Sequence, residues 1–201
     1  GENLLLKPII KVGGKRFLRI FFEWDSEYAS LIAGKNVFVE KPLCINFSQL
    51  EKIKNIYNEI LLSRKNQLLM IGFNRRFSPH IQKLKSYLSD NKGPVNIVIT
   101  INAGFLEDTH WVHDTELGGG RILGEACHFI DLCVFLSGSV VKKVCMNSLG
   151  EKSNLNTDNA SLLLQFENGS NASINYFSNG STKYSKERIE LYFEQKTWVI
   201  D

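Results

Sequence analysis

Val37-Phe38-Val39-Glu40-Lys41-Pro42-Leu43 is the stretch whose reading decides the fold. Its apolar half follows the turn signal Gly34-Lys35 and crowds β-branched and aromatic residues together, which predicts the end of a buried strand. Pro42 cannot donate to a ladder and holds Lys41 extended, so the strand stops there. Lys41 then stands at the carboxyl end of a strand, the edge at which open α/β sheets place their ligands. A lysine partly desolvated at such an edge can serve as an acid or a base. The plain alternative is a surface Lys-Pro turn, and the heptad alone favours it.

Outward from the heptad, residues 26–33 predict a short helix closed by Gly34. On the other side, Ser48 with Glu51 predicts a capping box, followed by an apolar stripe of Leu50, Ile53, Tyr57, Ile60 and Leu61. Residues 68–73 read as a second apolar strand. Strand, helix and strand at this spacing make a βαβ unit and imply a parallel sheet. Ser78-Pro79 starts a further helix with Ile81, Leu84 and Leu88 on one face, and Gly93-Pro94 breaks it.

Beyond Pro94 the period changes to two. Val95, Ile97, Ile99 and Ile101 alternate with polar or smaller residues. Leu162, Leu164 and Phe166 lead through Asn168-Gly169 into Ala172, Ile174 and Tyr176, a hairpin signal, and Ile189, Leu191 and Phe193 form one more strand. One-sided alternation predicts a mainly antiparallel sheet with a covered face, and residues 122–136 supply the covering helix. The expected fold class is α/β plus α+β, a remnant of a parallel sheet followed by a mainly antiparallel sheet with covering helices. The expected parts are an irregular segment (1–24, with a turn at Gly13-Gly14 and a strand within 17–22), a parallel α/β unit (25–75) and an antiparallel α+β domain (76–201).

Composition bounds the function. With 24 basic against 21 acidic residues, interspersed, the net charge of +3 is too mild for a nucleic-acid partner or an anionic membrane surface. No apolar run reaches the length of a membrane span. Cys44, Cys127, Cys133 and Cys145 show no CxxC or small-scaffold spacing, so reduced thiols and a cytoplasmic setting are expected.

Chemistry-bearing residues gather in two places. Asn74, Arg75 and Arg76 follow the second strand directly, where multi-donor side chains suit a hydroxyl-rich or anionic ligand; the alternative is a solvated turn. Residues 111–131 are denser. Gly118, Gly120 and Gly124 make a GxGxxxG pattern before a helix, but no strand precedes it, and a phosphate cradle is rejected. Glu125, His128 and Asp131 are spaced at three and share a helix face, so a carboxylate could orient the imidazole for proton transfer at a hydroxyl. The alternative is a buried structural histidine. His110, His113, Cys127 and His128 match no usual zinc spacing, so no metal is expected, and Cys127 beside His128 points elsewhere than a nucleophile would.

These residues together resemble the glucose–fructose oxidoreductase / inositol dehydrogenase (Gfo/Idh/MocA) family. Gly34-Lys35-Asn36-Val37-Phe38-Val39-Glu40-Lys41-Pro42-Leu43 resembles its GKHVFVEKPL segment. Gly72-Phe73-Asn74-Arg75-Arg76-Phe77-Ser78-Pro79 is similar to the segment that enters its second domain, and residues 118–132 are similar to its substrate loop and helix. A subgroup fused behind alcohol-dehydrogenase-like domains in polysaccharide gene clusters resembles it further.

The resemblance implies NAD or NADP as cofactor and hydride transfer at a carbinol carbon of a sugar, nucleotide sugar or cyclitol. By that likeness residues 25–75, the parallel remnant, are a partial Rossmann-type dinucleotide-binding domain, and residues 76–201 a substrate and oligomerisation domain. It implies Lys41 and His128 as acid/base groups; the aspartate that the family often carries is here Gly124, so either Glu125 stands in for it or the proton relay differs. Glu40, Lys41 and Pro42 would floor the nicotinamide; Asn74, Arg75, Trp111 and Arg121 would line the substrate. It also implies a homo-oligomer through the antiparallel sheet. The family's GxGxxG turn and acidic ribose-binding residue, expected before Asp25, have no counterpart in this sequence, which leaves a second reading open: an inactive sugar-binding or assembly module. A zinc hydrolase is a third reading and would need stoichiometric metal.

Overall fold

The computed structural model describes residues 9–12, 15–20, 24–63, 67–89, 93–150 and 157–201. The chain divides into two units, residues 1–73 and 74–201.

In the first unit, β1 (Ile9–Val12), β2 (Lys15–Ile20), β3 (Val37–Val39) and β4 (Leu69–Ile71) form one sheet in that order. β1 and β2 pair antiparallel, whereas β2, β3 and β4 are parallel. Residues 1–24 were expected to be irregular; their described part instead holds a strand pair, because β2 supplies the second ladder that β3 needs for its backbone groups. The turn expected at Gly13-Gly14, and residues 21–22 of the expected strand, lie outside the described residues.

Helix α1 (Trp24–Ile32) ends at Gly34, which takes the left-handed conformation with φ of 73° and donates to Leu31 O. Helix α2 (Phe47–Leu62) begins two residues earlier than its sequence signal. Asn46 caps it by accepting from Gln49 N, while Ile45 N donates back to Gln49 Oε1. The Ser48–Glu51 pair therefore lies inside the helix, and Asn46 takes the cap because its side chain reaches the amide three residues on. Ile53 and Ile60 join Leu31, Val37 and Val39 in a small core, but Leu61, expected on the buried stripe, faces solvent. Gln67 ties α1 to the sheet by donating to Leu31 O and Lys35 O.

The second unit opens with a 3-10 turn (Asn74–Phe77) and α3 (Pro79–Tyr87), capped by Ser78 with Pro79 at the first helical position. Six strands follow: β5 (Asn96–Asn102), β6 (Val141–Ser148), β7 (Ala160–Phe166), β8 (Asn171–Phe177), β9 (Glu187–Phe193) and β10 (Lys196–Ile200). Their order is β10-β9-β5-β8-β7-β6, and every neighbouring pair is antiparallel except β5 with β8. α3 and α4 (Cys127–Ser137) cover one face, packing Ile81, Leu84, Phe129, Leu132 and Leu136 onto the alternate residues of the strands. Lys85 closes the far end of α4 by donating to the Phe135 and Leu136 carbonyls. A π-turn (Ile122–Ala126) runs directly into α4. Among the described residues no helix is long and apolar enough to cross a membrane.

Candidate active site

In the first unit, β3 delivers Glu40, Lys41 and Pro42 half-buried beyond its carboxyl end, with a cis peptide between Lys41 and Pro42. Beside them Gly72 N donates to Val39 O, which carries the ladder one residue past β4. A Cβ on Gly72 would come 2.8 Å from Glu40 Oε2 and 3.3 Å from Val39 O, so only glycine lets the Glu40 carboxylate lie over this edge. The described residues thus place a carboxylate, an amine and a proline together at one strand end. A glycine-rich pyrophosphate cradle is not among them.

In the second unit, both arginines after the junction turn inward. Arg75 forms a two-pronged pair with Glu187 on β9, and its guanidinium lies 4.4 Å over the Phe129 ring. Arg76 grips Asp131 in the same bidentate way, at 2.6 Å from Nε to Oδ2. Asp131 was expected beside His128, but at 8% exposure its carboxylate needs a charged partner, and Arg76 is that partner. The Asp131 hydrogen bond is the main cause that raises Arg76 above the usual guanidinium range. The bidentate fork of Arg75 matches the Glu187 carboxylate, and its side chain stays 31% exposed. Asn74 is exposed.

The loop after β5 folds back on itself. Gly120 N donates to Val112 O, and a Cβ on Gly118 would fall 2.4 Å from that same oxygen. His110 caps the 3-10 turn Trp111–His113 by accepting from Val112 N, and Trp111 is 56% exposed. His113 Nδ1 stands 3.5 Å from the Asp158 carboxylate. Among the described residues no group of three or more histidine, cysteine, aspartate or glutamate side chains is placed to hold a metal ion.

Arg121 was expected on the substrate side, yet it is 2% exposed. Its guanidinium donates to Gly104 O at 2.6 Å, Ala103 O at 3.2 Å and Glu125 Oε2 at 3.1 Å. Asp158 lies 3.5 Å from it, and the Tyr176 ring 5.5 Å. It is a buried charge whose two terminal nitrogens are paired inside the unit, while its buried Nε has no hydrogen-bond partner. The same Glu125 oxygen accepts from the Tyr176 hydroxyl. Burial, with the Glu125 anion adding to it, pushes that hydroxyl far above the usual tyrosine range. Of the residues singled out from sequence, the structure therefore joins Arg121 to Glu125. Tyr176 and Asp158 complete this cluster and were not singled out for chemistry from the sequence; Tyr176 sits at a core position of an alternating strand, where nothing sets its hydroxyl apart.

A model of the GFO/IDH/MocA C-terminal domain matches residues 88–199. An uncharacterized oxidoreductase of Bacillus subtilis is 26% identical over 80% of this chain and 46% of its own length. The inositol 2-dehydrogenase of Rhizobium meliloti is 26% identical over 80% and 48%. The chain spans about half the length of these curated relatives. The fold is similar to that of the WlbA dehydrogenase of Bordetella pertussis, solved in complex with NADH and UDP-GlcNAcA. That likeness has a TM-score of 0.73 and 18% identity, covering 90% of this chain and 56% of the other.

Proposed function

The chain belongs to the GFO/IDH/MocA family of oxidoreductases, and from that premise we propose that it serves an NAD(P)-dependent dehydrogenase acting on a carbinol carbon of a sugar, nucleotide sugar or cyclitol. The observation that carries the reading is the end of β3, where Glu40, Lys41 and Pro42 stand half-buried at the carboxyl edge of a parallel strand. The relatives' names support the substrate class, since one acts on inositol and another is solved with a nucleotide sugar. When bound, the nicotinamide would take up or give the hydride.

The chain's own residues handle the proton. Lys41 hydrogen-bonds the reacting hydroxyl and holds or releases its proton, and His128, at the start of α4, is the second acid/base group. Glu40 and Pro42 shape the floor beneath the nicotinamide, while Asn74 and exposed Trp111 offer polar and flat apolar contacts to a sugar. Residues 25–75 are the cofactor-side part and residues 76–201 the substrate and oligomerisation part. The sheet face opposite α3 and α4 carries exposed Leu163, Phe177, Tyr192 and Val199, which supports a homo-oligomer through that face.

Titration with NAD(H) and NADP(H), followed by nicotinamide fluorescence, tests the reading. Saturable binding is expected, with Lys41→Ala lowering turnover about 100-fold or more. No binding up to millimolar cofactor would overturn it and favour the sugar-binding module.

A further inference from the structure

Glu125 and His128 straddle a change of helical type. Residues 122–126 form a π-turn, and α4 starts at Cys127. A π-turn holds one residue more than an α-turn, so it swings every later side chain by about 100° relative to an unbroken α-helix. The direction in which His128 leaves the helix is therefore set by whether that extra residue stays in place. Such turns are rare, and this one is supported from outside the helix.

The support here comes from two neighbouring strands. Arg121, the residue before the π-turn, is pinned to the Ala103 and Gly104 carbonyls just past β5. Glu125, inside the turn, accepts from Tyr176 on β8, and β8 pairs with β5 at Ile101↔Tyr176. Arg121 and Glu125 are joined to each other at 3.1 Å. Both ends of the turn are thus clamped to one rigid place in the sheet.

We infer that Tyr176 and Arg121 are positioning residues for His128, acting through Glu125 and the π-turn. Glu125 is the charge at the centre of the clamp rather than an acid/base group. The inference rests on the reading of His128 as an acid/base residue.

The test is NMR of this chain with labelled histidine, comparing Tyr176→Phe, Glu125→Gln and the double variant. The Phe variant keeps the ring beneath Arg121 and removes only the hydroxyl. Amide exchange over residues 122–126 is expected to rise about ten-fold or more, and the His128 ring resonance to move, while β5 amides stay protected. The double variant should equal the larger single change, because both break one clamp. A His128 resonance that stays put while exchange rises overturns the inference, as do single effects that simply add. If Tyr176→Phe fails to fold, Glu125→Gln, whose side chain is partly exposed, decides alone by the same resonance. The measurement reads His128's placement whether or not it transfers a proton; unaltered turnover in His128→Gln would sink the catalytic reading separately.

Discussion

The two units build their cores on different terms. In the second, four strands turn every other residue to one face, two helices cover it, and twenty-two of the described residues join in one buried cluster. In the first, five buried residues make the described cluster, while Phe47 and Leu62 on α2 stand 84% and 83% exposed. A one-sided sheet closes its core with its own helices, whereas a short parallel strand is only as buried as what lies on both of its faces. Among the described residues the larger core is therefore that of the second unit.

Phe129→Ala is the severest way to test that contrast, because the ring is fully buried and also carries the Arg75 guanidinium. A loss of about 3–5 kcal/mol is expected in denaturant unfolding, with amide protection falling across β5 and β8; a loss comparable to a surface change would break the comparison. Asp131→Asn should cost about 2 kcal/mol, less than a fully buried pair because Arg76 is about one-third exposed. Its check is the same unfolding curve, with Arg76→Gln repeating the loss and the double variant adding little. In the first unit, Asn46→Ala removes the α2 cap and should cost about 1 kcal/mol, seen as faster exchange in the first turn of α2 with β8 unchanged.

The smallest effect belongs to Glu190. The Tyr192 hydroxyl and then Arg188 hold its carboxyl below the usual carboxylate range. Because the folded value lies below the unfolded one, its contribution is present above the ordinary carboxylate range and lost as the pH falls through the depressed value. Carboxylate NMR titration checks this, and an ordinary midpoint for Glu190 would remove the effect.

What could be read from the sequence was what repeats. The βαβ unit, the Asn168-Gly169 hairpin and the four alternating strands of the core carry periodic apolar residues, and each stands where expected. β6 escaped because it is an edge strand, mostly exposed and bearing Lys142 and Lys143, so it shows no alternation. β10 escaped because its hairpin turns on Glu194 and Gln195, both at positive φ, where glycine or asparagine would have signalled it. The site was harder still. Spacing alone put Asp131 with His128, but which carboxylate meets which arginine depends on chain segments brought together over long distances, such as Arg76 with Asp131 and Arg75 with Glu187.

The parallel pairing of β5 with β8 has a consequence for how the chain is made. Asn96 pairs with Asn171, 171 − 96 = 75 residues later, and the other neighbour of β5, β9, is more distant still. At ribosomal speed β5 waits roughly 4–15 s for its first partner. During that interval Val95, Ile97, Ile99 and Ile101 form an apolar strand with both edges open. The strand at the centre of the finished sheet is thus one that stays unpaired long after it is made.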